Sequence, residues 1–515
     1  MENAKKGTAI KTYGFIIACI FLSKLLGLGR EVCLAAFYGT TDMAAAFTTA
    51  SRIPLLFFDI TLGTAVASAF IPIFNEYLTK ESKERAYAFT NIFITTVGLI
   101  AFFITLFLLL FPEAAVFIMA PGFDAQTAAL SADLLRIMSP IVVIAVLCYS
   151  LVGFLQSMGE FRRPAMMSLL SNFAMMLYFL IGNRTFGIYG LGVALVIGWF
   201  LQLFILLRPL RDFSLKLHPV WQFKDAGLKS VLLLSVPVLI SSWAQPINLL
   251  LSNTLASFVS GARSVSIVGY AYQLYFMIAG VFSLSMTNLF FPTMSRHFAA
   301  GERKEGANVL YKMLAAVTLI VFPVMVFLGI FSTDIIRIVY ERGSFLPTDT
   351  LDTSKVLFAY TFGMLGVSWQ EILNKYFYSE KNSKTPMFVA IGAIVINISV
   401  SAALIWHVQE VGIAVASTLS VLFAGVVLFI LSRRENKEND ISGVLQDVLK
   451  GLLAGICCAL AMLGANFLLP VWGGICAQLM RLGICFAVGI MIYLGLLYVQ
   501  KTQIFGELIN SFRKR

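Results

Sequence analysis

Charge is scarce in this chain. Only 13% of its 515 residues are charged while 59% are hydrophobic, and the mean hydropathy is +0.86. A soluble chain carries about a quarter charged residues, so that shortage excludes an ordinary soluble globular protein. Histidine is nearly missing: His218 and His297 lie in basic loops and His407 at the end of an apolar run. With no nucleophile motif and no phosphate-binding loop, an enzyme is not expected, and neither is a His-rich metal site. The seven cysteines (Cys19, Cys33, Cys148, Cys457, Cys458, Cys476 and Cys485) have neither metal-ligand nor disulfide-framework spacing and read as small buried hydrophobes. Alternation of polar with apolar residues is also missing, which excludes a membrane β-barrel. Residues 1–11 are polar and basic, but no small-residue cleavage site follows, so the next apolar run reads as a first span and not a removed signal.

What the chain has instead is apolar runs of about 20 residues, each able to cross a hydrocarbon core about 30 Å thick. Bounded by polar, Gly or Pro breaks, they predict fourteen transmembrane helices at 13–37, 43–74, 87–111, 131–157, 164–182, 187–207, 230–258, 266–294, 308–331, 352–378, 385–406, 411–432, 444–469 and 474–499. The expected fold class is an all-α polytopic membrane protein. Lysine and arginine gather in alternate loops, as in Lys80–Lys83–Arg85, Arg162–Arg163, Arg208–Arg211–Lys216–Lys224–Lys229 and Arg433–Arg434–Lys437. The opposite loops offer little beyond Arg184, Arg263, Arg337 and Arg342. The positive-inside rule then places both termini in the cytoplasm. The net charge of +11 reports this topology and contact with anionic membrane lipids. Nucleic acid is not an expected partner, since no basic patch is interleaved with stacking aromatics.

The chain also repeats itself. The segment "AFIPIFNEYLTKESKERAYAFTNIF" at 69–93 echoes "LFFPTMSRHFAAGERKEGANVLYKM" at 289–313, with Pro72 against Pro292 at an offset of 220. Pro164 against Pro386 and Gly190 against Gly412 both give 222. Six spans per copy is an even number, so the copies insert in the same orientation, as in transporters built from parallel repeats. Two six-helix lobes are expected around a central cavity, at 1–210 and 230–432. A basic linker at 211–229 joins them, and a second linker at 433–443 leads to two extra helices and a basic tail at 444–515. The extra pair either carries a second function or packs on a lobe.

Against this apolar background a few charges stand out. Lys24, Arg30 and Arg52 lie in or at the edges of the first two spans, where a lipid-facing cation costs roughly 3 kcal/mol. Such residues belong in a solvated cavity that holds an anion. Lys24 and Glu31, seven apart, share a helix face, as do Arg52 and Asp59 with Pro54 between them. Gly27 and Gly29 permit a bend or the close approach of another backbone. For Arg30 and Glu31 three readings stay open: substrate contact, snorkelling to the interface, or a lobe-closing ion pair. Asp59 is a cation ligand, the counter-charge to Arg52, or both. In the second half the polar candidates are Gln245 and Asn248, three apart on one face, and Tyr272 and Gln273. Each lines a cavity or serves as interhelical glue or an interface anchor. Asn172 and Asn397 read as polar glue or ion ligands.

The runs "SKLLGLGREVCLAAFYGTTDMAAAF", "RIPLLFFDITLGTAVASAFIPIFNEY", "APGFD" and "YERGSF" resemble the MurJ/MviN family, from about residue 13 to about 430 and more loosely beyond. That family belongs to the multidrug/oligosaccharidyl-lipid/polysaccharide exporter superfamily. The resemblance implies a flippase that moves the undecaprenyl-pyrophosphate-linked peptidoglycan precursor, lipid II, across the bacterial inner membrane by alternating access. It puts Lys24, Arg30 and Arg52 where the family's cavity cations stand, with Glu31 as the acidic partner beside the arginine and Asp42 as the acidic residue opening the second helix. It implies an undecaprenyl-linked glycolipid as cargo, an apolar groove for its tail on the extra helices, cell-wall synthesis proteins as neighbours and a monomeric transporter. No cofactor is called for; a coupling cation, Na+ or H+, is left open. The chain departs from the family pattern at Phe58 or Asp59 and at Gln273, where an arginine is usual, and at Gly63, where a glutamate is usual. Those departures keep another lipid-linked oligosaccharide open as cargo, with a cation-coupled drug exporter behind it.

Overall fold

The apolar runs fold as helices, and every element among the described residues is helical. The structure is a computed structural model and describes residues 2–231, 233, 244–380, 382–470, 474–502 and 506. Side chains are described for all of these except 2–13, 17, 56–65, 67, 68, 244, 245, 282–290, 292 and 299. The chain divides into two compact units, residues 1–266 and 267–515. The first holds α1 (Glu2–Tyr38), α2 (Asp42–Ala65), a π-helical turn at Val66–Phe70, α3 (Ile71–Lys80), α4 (Lys83–Leu110), α5 (Pro112–Met119), α6 (Ala125–Met138), α7 (Ile141–Ser157), α8 (Arg162–Ile181), α9 (Asn183–Leu207) and α10 (Ala244–Ser260). After α11 (Ala262–Ala299), which crosses the boundary, the second holds α12 (Arg303–Ile330), α13 (Ser332–Tyr340), α14 (Pro347–Thr361), α15 (Gly363–Ser379), α16 (Lys384–Glu435), α17 (Ser442–Leu468) and α18 (Ile475–Val499).

Among the described residues eight helices are long and apolar enough to cross a bilayer, or ten when two bent pairs each count as one span. The expectation of fourteen is larger for identifiable reasons. Two expected spans, 385–406 and 411–432, both lie in α16, and 230–258 is only partly described. A 52-residue helix would be about 78 Å long at 1.5 Å per residue, far more than a bilayer needs. The backbone breaks instead at Val408 and Gln409, where φ reaches 52°. Ser420 then donates to the Ala393 carbonyl at 2.6 Å, so the two halves run back along one another. Large apolar side chains face outward along these helices, as with Leu180, Phe204, Trp406 and Phe467. In water that pattern would be a liability; against acyl chains it is the expected exterior.

The repeat read from the sequence has a counterpart in the backbone. Helices α4 and α12 each run 28 residues, starting 220 apart. The α6–α7 pair bends by 42° and the α14–α15 pair by 43°, at an offset of 222. Gly187 in α9 has φ 54°, ψ −147°, and Gln409, 222 residues later, has φ 52°, ψ −132°. The packing repeats as well: Gly198 meets Ser171 in the first copy, and Ser420 meets Ala393, each 222 further on, in the second.

The two extra helices pack on the second unit. Ala454, Cys458 and Met462 of α17 and Cys485 and Tyr493 of α18 form one core with Ala315, Ala316 and Leu319 of α12. Gly451 and Gly455 face α12, and a methyl group at Gly455 would fall 2.0 Å from the Phe322 ring. Small residues four apart are what allow membrane helices to approach this closely. Tyr493 completes the contact by donating to the Leu319 carbonyl at 2.9 Å. Four of the seven cysteines are buried as expected, but Cys457 and Cys476 are exposed on these helices.

Candidate functional site

Helix α1 carries its charge where α8 crosses it. Gly27 lies against Asn172, and Gly29 against the Met176 side chain at 3.1 Å from where a Cβ would stand, so two side-chain-free positions let α8 come in close. At that crossing Asn172, 7% exposed, holds α1 at two points. Its amide nitrogen donates to the Ser23 carbonyl at 3.2 Å, and its oxygen accepts from the Arg30 guanidinium at 3.2 Å. The same guanidinium donates to Glu31 at 2.6 Å. Adjacent residues point about 100° apart around a helix, yet the arginine stem is long enough to fold back onto its neighbour. With 29% of the arginine and 16% of the glutamate side chain exposed, the pair is neither stripped of solvent nor on an open surface. An ion pair in that setting holds the Arg30 guanidinium in one orientation.

Arg30 and Asn172 close one end of a cavity of about 480 Å³ inside the first unit, between α1, α2, α7, α8 and α9. The remaining polar lining comes from Gln156, Gln202, Tyr149, Trp199, Ser168 and Ser171, and the apolar lining from residues such as Leu55, Met167 and Leu195. The volume is in the range of sites that hold small organic ligands. Gln156, Gln202, Tyr149 and Trp199 were not among the residues expected from the sequence. A neutral amide in "GWFLQLF" was a readable sign, since an amide in an apolar helix costs energy unless it has a partner.

The other expected residues are distributed as follows. Arg52 is half-buried on α2 and donates to Asn253 of α10 at 3.0 Å; Asn253 in turn donates to the Met119 carbonyl at 3.2 Å. Lys24 is half-buried on α1, six residues before Arg30. Asp42 is exposed in the first turn of α2 and forms no ion pair among the described residues; a carboxylate there faces the positive end of the helix dipole. The side chains of Asp59 and Gln245, with those of Phe58 and Gly63, lie outside the described ones. Asn248 is half-buried on α10. Gln273 is half-buried in the second unit, where Tyr272 stacks on Phe276 at 5.5 Å and packs edge-on against Tyr360 at 5.8 Å. The motif "APGFD" is built for packing and capping. A side chain on Gly122 would strike the Ser257 backbone, and Asp124 caps α6 by accepting from the Thr127 backbone at 3.1 Å.

A family model described as "Lipid II flippase MurJ" matches residues 34–500. The chain belongs to the lipid II flippase MurJ family. The matched stretch begins after Lys24, Arg30 and Glu31, so membership does not rest on the charges of the first helix. Relatives run to nearly full length. The "Probable lipid II flippase MurJ" of Rickettsia prowazekii is 27% identical over 499 residues, 95% of this chain and 97% of that protein. The "Lipid II flippase MurJ" of Burkholderia cenocepacia is 24% identical over 510 residues, covering 96% and 97%. Among solved structures, "Lipid II flippase MurJ, inward closed conformation" superposes with a TM-score of 0.81 at 24% identity, covering 97% of this chain and 99% of that one. An inward-facing multidrug-resistance MATE transporter of the MOP superfamily gives 0.69 at 14% identity, covering 82% of this chain and 98% of that one. These likenesses establish a fold shared by MurJ and MATE proteins. The MATE chain leaves about a fifth of this one uncovered, whereas the MurJ chain covers nearly all of it. MurJ membership and the run of apolar helices together make this a multi-pass membrane protein.

Proposed function

We propose that this protein is a flippase that carries lipid II from the cytoplasmic to the outer leaflet of the bacterial inner membrane. The observation that carries the reading is the match to the MurJ family over residues 34–500, with relatives aligned over almost their whole length. It is a transporter, and its substrate is a lipid-linked glycolipid. Lys24, Arg30 and Arg52 serve as the cationic contacts for the pyrophosphate, with Glu31 holding Arg30 and Asp42 and Asp59 as acidic partners. Asn248, Tyr272, Gln245 and Gln273 supply polar surface for the headgroup. Both termini are cytoplasmic, following the bias of lysine and arginine between loops. The working unit is a monomer of two six-helix lobes at 1–210 and 230–432, and a coupling cation, Na+ or H+, moves against the lipid.

The test is complementation. A bacterium depleted of its own lipid II flippase is expected to grow on this gene and to expose lipid II on the outer face of its membrane. Arg30→Ala and Arg52→Ala, each confirmed as folded in the membrane, are expected to abolish both. Growth of the double variant at the parental rate would overturn the assignment of those cations, and failure of the parent protein to expose lipid II would overturn the flippase reading.

A further inference from the structure

The cavity inside the first unit has more unspent hydrogen-bonding capacity than packing needs. Gln202 is only 4% exposed, lines the cavity, and makes no hydrogen bond among the described residues. A buried primary amide brings two donors and one acceptor oxygen, and leaving them unused is costly. Trp199, 6% exposed, lines the same wall one helical turn away, and its indole N–H also has no partner among the described residues. Tyr149 and Gln156 on α7 face the same space with a hydroxyl and an amide that likewise have none. At the closed end Arg30 spends two of its five N–H groups, on Glu31 and Asn172, and keeps the rest. Among the described residues no carboxylate lines the cavity. Along α8 it extends from Pro164 to Asn172, eight residues or about 12 Å of helix.

We propose that this cavity binds an N-acetylated amino-sugar phosphate, with the phosphate against Arg30 and the sugar between Trp199 and Tyr149. Neutral amides match the hydroxyl and acetamido groups of such a ring, an aromatic plane covers its C–H face, and the guanidinium takes the anion. A metal ion or an organic cation would meet the Arg30 guanidinium and, among the described residues, no carboxylate, and a lipid tail would leave the amides unpaired. The site lies wholly within one unit, and of the three cations assigned to the pyrophosphate Arg30 is the one that lines it. The inference rests on the flippase reading and assigns the sugar-recognising part of its cargo to the first unit. The same chemistry is carried by two sources, a lipid-linked sugar and a soluble nucleotide sugar, and the lipid-linked form is the one proposed.

The experiment uses the full chain in nanodiscs and measures binding of lipid II and of undecaprenyl pyrophosphate, which has the same anchor and phosphates but no sugar. The parent protein is expected to prefer lipid II by about tenfold. Gln202→Leu, which keeps the volume but removes the amide, and Trp199→Phe, which removes the indole N–H and shrinks the aromatic plane, are expected to erase that preference while leaving undecaprenyl pyrophosphate affinity within twofold. UDP-N-acetylglucosamine is expected not to displace lipid II. Equal affinity of the parent for both lipids, or an equal loss of both in the variants, overturns the sugar site and leaves the flippase reading standing. Displacement by UDP-N-acetylglucosamine makes the ligand a soluble nucleotide sugar and overturns the lipid-linked assignment. Binding of neither lipid by the parent is the separate result that sinks the function itself.

Discussion

Asp124 shows how a short motif divides its work. In "APGFD" the glycine makes room for the Ser257 backbone and the aspartate answers one of the four orphan N–H groups at the start of α6, that of Thr127. The nearby Thr127 hydroxyl, and the Thr127 backbone N–H that donates to this carboxylate, hold the Asp124 carboxyl below its ordinary value near 3.8. A folded-state value depressed in this way gives stability that is fully present above the ordinary value and is lost as the pH falls through the depressed one. Asp124→Ala is therefore expected to cost about 1 kcal/mol at neutral pH. The gap to the parent in thermal unfolding should close below about pH 4, whereas Asp124→Asn, which still caps, should stay close to the parent at neutral pH. A gap that stays constant down to pH 3 would remove the carboxylate from the account. The charges of α1 were legible in the same residue-by-residue way, because cations in apolar runs are conspicuous. Their partners were not. Asn172 reads as polar glue or an ion ligand from sequence, and only the approach of α8 across Gly27 and Gly29 makes it the residue that orients Arg30.

At the scale of elements, periodicity located the helices but could not say which of them touch. The role of α17 and α18 was open from sequence, and the answer lay in the glycines of "GLLAG" at 451–455, which meet Leu319 and Phe322 of α12. A larger residue there has nowhere to go. Gly455→Leu is expected to push α17 off α12, and cross-linking reads this directly. In a background without the native cysteines, Leu319→Cys and Gly451→Cys should form a disulfide under mild oxidation, since a Cβ at Gly451 would fall 2.3 Å from the Leu319 side chain that the first substitution cuts back. Adding Gly455→Leu should suppress that cross-link at least fivefold. A cross-link of unchanged yield would mean that the pair docks without close approach at glycine. The π-helical turn at Val66–Phe70 was invisible in the sequence for a physical reason: one extra residue in a turn leaves the apolar pattern nearly unchanged.

Over the whole molecule the duplication was the most legible feature, and the backbone carries it further than the residues do. Pro164 with Pro386 and Gly190 with Gly412 gave the offset of 222, but nothing in the sequence pairs Gly187 with Gln409. The two share an unusual backbone conformation, one that glycine adopts at little cost and glutamine does not, so the reversal at 409 is imposed by the two helices that meet there. That reversal fixes what topology follows. From Lys384 to His407 is 24 residues and from Glu410 to Glu435 is 26, about 36 and 39 Å of helix, and each is enough to cross about 30 Å of hydrocarbon. Gln409 and Lys437 must then lie on opposite faces of the membrane, with Lys437 on the side rich in lysine and arginine. In a cysteine-free background, Gln409→Cys is expected to react with a membrane-impermeant maleimide in intact spheroplasts, and Lys437→Cys only after permeabilisation. The reverse pattern would invert the orientation and with it the leaflet from which cargo is taken. Labelling of both residues from one side would deny that α16 crosses the membrane twice, and the six-span copy on which the parallel repeat depends would fail with it.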